Sequence, residues 1–315
     1  MTNVEGPPSP AIGRTAEKKG FVRRLVPLVL TAILVVIALF ALAVLNNNYS
    51  LSKPSRTEFN AQLDRAIDTS TAWIVQHPEI QGNPPLMFML GDMAEISGDP
   101  RLHTYVESYL NSKWARQPGK PATWYHAHWV DPSVPLPMIS DSEFQDLIFQ
   151  DRWYMYATAP DRVPLPADSR ADLFSPTKYS WGTRLHLQLI ALDIYRHFNG
   201  PSPELNAAIN PVTEGVAHDA YWDFRVSDSY EQRSAFILAA GRPDLVRSRW
   251  IDRILANQQP DGAWNYCWYG WCRGVFEFRL GDSARGDQGH STVQAAWALY
   301  QLKYRHQDWI KEHYQ

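Results

Sequence analysis

The chain has 315 residues, 45 % of them hydrophobic and 20 % charged, which excludes a disordered protein and suits one large domain beyond any targeting segment. Its formal net charge of −3 hides an asymmetry: five Lys/Arg and two Asp/Glu make residues 1–24 +3, leaving −6 for the rest. An acidic body argues against nucleic acid as a partner and against docking on anionic lipid.

Residues 1–20, rich in Pro, Gly and charge, read as a disordered tail. Leu25 to Leu45 is an uncharged apolar run, and about 20 helical residues at ~1.5 Å each cross a hydrocarbon core of about 30 Å. Residues 21–45 are therefore expected to form a single transmembrane helix, with Pro27 in its first turn. Arg14, Lys18, Lys19, Arg23 and Arg24 precede the run, while only Lys53 and Arg56 closely follow it. The positive-inside rule puts the N-terminus in the cytoplasm and the C-terminal part in the periplasm or outside the cell. The rival is a cleaved signal peptide, but the run is long for one and Val44-Leu45-Asn46 offers no small-x-small cleavage site. Residues 46–56 read as a polar linker.

Beyond the linker no sustained period-2 alternation occurs, and helices are expected at roughly 56–77, 84–97, 101–115, 141–158, 182–198, 203–221, 228–240, 244–258 and 290–307. Two kinds can be separated. Segment 244–258 is amphipathic, with Val246, Trp250 and Ile254 on one side and Arg247, Asp252 and Arg253 on the other, as suits an outer helix laid on a core. Segments 86–90, 185–194 and 293–302 are apolar nearly all round, as suits buried helices. Gly98-Asp99-Pro100, Gly200-Pro201 and Gly241-Arg242-Pro243 punctuate the two kinds, with Gly suited to the end of one helix and Pro to the start of the next. The expected architecture is all-α: one N-terminal transmembrane helix, then an α/α toroid over residues 57–315 in which inner helices ring an axis and outer ones cover them. An irregular helical bundle is the alternative. The toroid is incomplete or irregular on this reading, because nine helices fall short of six pairs and residues 159–180 lack an outer helix.

Ile254 to Trp264, with its Gln258-Gln259-Pro260-Asp261-Gly262-Ala263-Trp264, resembles the Gln-rich, Asp-Gly-x-Trp repeat of terpenoid cyclases and protein prenyltransferase β subunits. His290 to Leu299 resembles the inner helix that follows such a repeat. The resemblance covers about residues 250–302 and implies the toroid fold. Asp-x-Asp-Asp and Asp-Asp-x-x-Asp motifs are missing from the chain, and 228–241 has no Cys to join His290 in the zinc site that the resemblance implies for prenyltransferases. No metal or cofactor is expected.

Cys267 and Cys272 are the two cysteines; outside the cytoplasm they suit a disulfide closing a short loop, with two free thiols as the alternative. The stretches 116–140 and 259–289 read as long aromatic loops that enter inner helices and so gather at one barrel end. They carry Trp124, His126 and His128, and Trp264, Trp268 and Trp271; Trp181 and Tyr230 join them as lining candidates. Such rings either stack on a sugar or isoprenoid ligand or plug the barrel end. His126 and His128 form an H-x-H pair without a third ligand at diagnostic spacing, which suits hydrogen-bonded structural groups more than a metal.

Asp141, Glu143 and Asp146 open one inner helix, Asp228 and Glu231 a second, and Asp282 and Asp287 precede His290. Acids at helix N-termini act as caps and dipole partners in most proteins. At a toroid mouth they also form the pairs that general acid–base work on a glycan needs. Asp141, Glu231 and His290 are the catalytic candidates. Three functions follow: an anchored enzyme on a cell-envelope glycan, an enzyme on an isoprenoid-like apolar molecule, or a non-catalytic interaction or assembly subunit of a membrane complex. No Gly-rich phosphate loop, nucleophile elbow or H-E-x-x-H stretch is present. An open axis favours the enzymes and a filled one the subunit.

Overall fold

The computed structural model describes residues 14–50, 52–175, 183–226, 228–264 and 288–315; among them no strand occurs. The chain divides into two units, residues 1–45 and 46–315.

The first unit is built on helix α1 (Arg14–Asn48), which extends a few residues beyond it. Its Val26–Asn48 stretch, with mean hydropathy 3.2, is long and apolar enough to cross a membrane. Leu28, Leu34 and Val36 are 69, 65 and 64 % exposed, so these side chains belong to no protein core, and hydrocarbon is the solvent that suits them. The helix starts at Arg14, so residues 14–20, expected in a disordered tail, are helical, and Pro27 lies well inside α1 rather than in its first turn.

The second unit contains α2 (Arg56–Ile74), α3 (Pro84–Ser97), α4 (Pro100–Leu110), α5 (Ala122–Val130), α6 (Asp141–Asp146), α7 (Phe149–Thr158), α8 (Ala167–Leu173), α9 (Thr183–Asn199), α10 (Pro203–Trp222), α11 (Asp228–Ala239), α12 (Ser248–Ala256), α13 (Gln288–Arg305) and α14 (Gln307–His313). The departures from expectation lie in α5 to α8 and in α14, a short helix after the expected end of the last one. The stretch 116–140, expected as a loop, contains α5, which buries Tyr125, His126, Ala127 and Trp129. Residues 141–158 form two helices, because Leu147 and Ile148 adopt extended backbone while Arg152 bonds the carbonyls of Gln145 and Leu147. α8 stands in the region where an outer helix was missing.

Start and stop signals act locally as the sequence implies. Gly98 ends α3 with a left-handed φ of 66°, and Asp99 caps α4 by accepting from Arg101 N, with Pro100 as its first residue. Ser55 and Ser140 form capping boxes with Glu58 and Glu143.

Neighbour relations run in a closed sequence. α3 packs on α5, α5 on α7, α7 on α9, α9 on α11, α11 on α13, and α13 on α3. α2, α4, α8, α10 and α12 pack against members of this set. α11 and α13 are buried along almost their whole length. Each of the six contributes one ring to a contiguous aromatic layer: Phe88 meets Trp129, His197 and Trp297 at 6.1, 5.8 and 6.3 Å, Phe236 meets Trp297 at 5.9 Å, and Trp129 meets Tyr154 at 6.1 Å. Edge-to-face pairs of this kind contribute roughly 0.5–1.5 kcal/mol each beyond burial.

Two clips close the unit. Asn46–Asn48, expected as linker, are the last residues of α1 and are bonded throughout: Asn47 Nδ2 donates to Ala220 O, Asn47 Oδ1 accepts from Tyr230 and Arg253, and Asn48 Oδ1 accepts from Trp250. The Gln-rich Asp-Gly-x-Trp segment ties α12 to α2. Gln258 Nε2 donates to Ala66 O, Thr69 Oγ1 and Gly262 O, and Trp264 Nε1 donates to Ile254 O. Gly262 has φ 96°, and a Cβ there would lie 2.4 Å from Thr69 O, so only glycine fits.

Candidate functional site

The first turns of α11 and α13 lie side by side, and both carry polar residues at i and i+4 on otherwise apolar helices: Asp228 and Gln232, His290 and Gln294. His290 Nδ1 lies 2.5 Å from Asp228 Oδ1. Asp228 is buried and His290 is 19 % exposed, so the pair has one sealed end and one reachable end. With the Gln294 amide oriented to satisfy its neighbours, its NH2 donates to Asp228 Oδ1 at 2.9 Å and its carbonyl accepts from Gln232 Nε2 at 3.1 Å. His290 Nε2 lies 3.3 Å from the same amide.

From Gln232 the network continues inward. His186 Nδ1 donates to Gln232 Oε1 at 3.1 Å, and His186 Nε2 accepts from Arg233 Nε at 2.9 Å. That fixes one neutral tautomer. Burial, followed by the adjacent Arg233 charge, pushes the His186 pKa down to about 3. Arg233 Nη1 donates to Asp223 at 2.7 Å, and Arg225 grips the same carboxylate through Nε and Nη2. Burial pushes Asp223 upward, but the two arginines together hold it below the usual carboxylate range. One hydrogen-bonded line thus runs from Arg225 to His290 across the loop before α11, α9, α11 and α13.

Glu231 stands apart from that line in one respect. It is 2 % exposed, and among the described residues neither its Oε2 nor the buried Ser291 Oγ has a hydrogen-bond partner. Burial, and then the nearby Asp228 charge, raises its pKa well above the ordinary value, with Ser291 opposing. An acid whose protonated form is favoured by burial therefore sits beside an Asp–His pair. Such a pair holds an imidazole in one tautomer and stabilises its charged form, and a protonated buried carboxyl donates a proton where an ionised one cannot.

The other sequence candidates fall in several places. Glu231 and His290 belong to the cluster, whereas Asp141 is exposed in the first turn of α6 and shares no hydrogen bond with them. Tyr230 and Trp264, read as ligand-facing rings, are core residues: the Tyr230 hydroxyl donates to Asn47 Oδ1, and Trp264 is fully buried with its backbone N–H on Thr292 Oγ1. Trp124 packs partly buried against the core. His126 is buried against Trp129, and burial pushes its pKa down to about 3. His128 Nδ1 lies 2.7 Å from Val134 O. No group of three metal-ligating side chains occurs among the described residues. Trp181, Trp268, Trp271, Asp282, Asp287 and the Cys267–Cys272 pair lie outside the described residues.

Sequence reasoning took Asp228 for a cap and passed over His186, Gln232, Arg233 and Gln294. The available signal was polar residues four apart on helices otherwise too apolar to face water. No protein-family model, curated protein or solved structure matches this chain.

Proposed function

We propose that the protein is a membrane-anchored enzyme whose large unit is an α/α toroid, and that the cluster at the N-terminal ends of α11 and α13 performs general acid–base chemistry on a cell-envelope glycan. The closed run of neighbours α3–α5–α7–α9–α11–α13, with other helices packed against it, supports the toroid. His290 is seven residues before Trp297 on α13, about 10 Å along the helix axis. A cluster of Asp, Glu, Gln and His suits a hydroxyl-rich substrate better than an isoprenoid. In this reading α1 is a single-pass anchor, the basic residues before it keep the N-terminus in the cytoplasm, and the toroid acts outside the membrane's cytoplasmic face.

The observation that carries the reading is a buried Glu231 whose Oε2 has no hydrogen-bond partner among the described residues, next to the 2.5 Å Asp228–His290 contact, with burial raising its pKa well above the ordinary value. His290, oriented by Asp228, takes or returns a proton at Nε2, and Glu231 supplies the acid. The test uses full-length protein in detergent and isolated cell-envelope glycan, with release of reducing ends or unsaturated products as the readout. The expected result is release by the wild type and a loss of about 10²–10⁴-fold in Glu231→Gln and His290→Asn. A wild type that releases nothing across envelope glycans sinks the proposal.

A second reading has its own observation. One ring from each of the six helices joins the aromatic layer, as an assembly subunit without a substrate would allow. Co-purification of a membrane partner from native membranes, unaffected by Glu231→Gln, favours it.

A further inference from the structure

A groove of about 620 Å³ opens on the second unit where the chain leaves the apolar span. Its walls include Tyr49, Lys53, His218, Tyr221, Arg247 and His313. Tyr49 directly follows Asn48, the last residue of that span. The groove is therefore within a residue or two of the membrane interface along the chain, whichever leaflet faces it.

Its charge is locally positive, against the acidic average of the unit. The Arg247 guanidinium lies 5.3 Å from the Tyr49 ring and 5.0 Å from the Tyr221 ring, and forms no salt bridge among the described residues. The Lys53 ammonium bonds only the neutral carbonyl of His313, and lies 5.9 Å from the Tyr314 ring. The one lining carboxylate, Asp244, is already held by Arg242 through Nε and Nη2 at 2.9 and 2.8 Å. Two cations without carboxylate partners among the described residues, flanked by tyrosine rings, match a phosphate with an apolar or glycerol portion beside it. Tyrosine and arginine are the side chains that bridge lipid headgroup and acyl boundary. Juxtamembrane cations contribute roughly 1 kcal/mol each toward anionic lipid.

We propose that this groove binds the headgroup of an anionic phospholipid from the bilayer that α1 crosses, with Arg247 and Lys53 on the phosphate and Tyr49 and Tyr221 against the glycerol. The inference is independent of any catalysis. The net charge of −6 beyond residue 24 argues against spreading on an anionic surface, and it leaves a single built groove untouched.

Full-length protein in detergent is titrated with dioctanoyl phosphatidylglycerol and, separately, dioctanoyl phosphatidylcholine, and bound lipid is counted by native mass spectrometry. One phosphatidylglycerol is expected to be retained in preference to phosphatidylcholine. Lys53→Ala/Arg247→Ala should weaken it by about 10-fold, and Lys53→Arg/Arg247→Lys should restore most of it; thermal melting reports folding in parallel. Displacement by millimolar inorganic phosphate would reassign the groove to a soluble anion and overturn the lipid. Equal retention of both lipids, or unchanged retention in both double variants, would overturn the site itself.

Discussion

Two carboxyl groups on either side of α13 are treated in opposite ways. Asp92 of α3 accepts from Trp297 Nε1 and Gln301 Nε2, each at 2.5 Å, and from Arg305 Nη2 at 2.7 Å. These three donors make it a tie that holds α3 to α13. Glu231 of α11, packed near the start of the same helix, has a buried oxygen with no hydrogen-bond partner among the described residues, and burial raises its pKa well above the ordinary value. Burying a polar group without a partner costs roughly 1–3 kcal/mol. Asp92 serves cohesion, whereas the proposed function gives the unpaired Glu231 a chemical task instead.

The widest separation between the two should appear when each is changed. Glu231→Gln keeps the shape and removes the titrating proton; glycan release should fall by about 10²–10⁴-fold while the melting temperature holds or rises. Asp92→Ala should leave two buried donors and an arginine without their acceptor, costing about 3 kcal/mol of stability by denaturant titration. If Asp92→Ala proved neutral for stability, or Glu231→Gln unfolded the protein, the division into cohesive and reactive carboxyls would collapse. Gly262→Ala belongs with Asp92, since the added Cβ meets Thr69 O at 2.4 Å in a left-handed backbone; a loss of about 3 kcal/mol or more is expected by the same titration.

The two regions also differ in how far the sequence disclosed them. Cohesion was largely legible. Buried helices, the Gly98–Asp99–Pro100 turn and the apolar span each rest on a periodicity or a backbone preference that acts within a few residues. The resemblance at 254–264 is now intelligible as a clip, because Gln258 and Gly262 make contacts that glutamine and glycine alone allow. The site was legible only in its members: Glu231 and His290 were picked, but the partner of His290 was missed. Asp228 looks like an ordinary N-terminal acid until α11 and α13 are placed side by side. His186, 42 residues before Asp228, offers no local sign that it will stabilise the same network. The short α5 was missed for the opposite reason, since its Trp, Tyr and His residues favour helix only once they have a core to enter.

Titration sharpens the comparison further. Glu231 has a folded-state pKa above its unfolded value. Its contribution to stability is fully present below about pH 4.5 and is lost as pH rises through the folded pKa. Glu231→Gln should therefore gain on the wild type in melting temperature as pH goes from 5 to 8. His186 has the opposite sign: held neutral with a pKa of about 3, it stabilises above about pH 6.5 and progressively less toward pH 3. A Glu231→Gln advantage that shrank with rising pH would mean the acid is ionised in the fold, and the proton donor would be lost from the mechanism.

His126 supplies the smallest and most controlled test, because it is unpaired like Glu231 but remote in character, a lone ring against Trp129 on α5. Neither of its nitrogens has a partner, and burial holds its pKa at about 3. If an unpaired buried group always signalled chemistry, replacing this one would damage activity. On the proposed function Glu231 counts because it stands beside Asp228 and His290, whereas His126 is a cost the aromatic layer tolerates. His126→Phe should leave glycan release unchanged and stabilise the protein by about 1 kcal/mol at pH 7, the gain from removing two orphaned nitrogens exceeding slight overpacking. Since a neutral buried histidine loses its stabilising contribution as pH falls from about 6.5 toward 3, the advantage of phenylalanine should widen in acid, by up to about 3 kcal/mol at pH 4. Paired denaturant titrations at the two pH values decide it. A variant less stable than wild type at both, or one that loses activity while folded, would put His126 in the site and erase the distinction between the two unpaired groups.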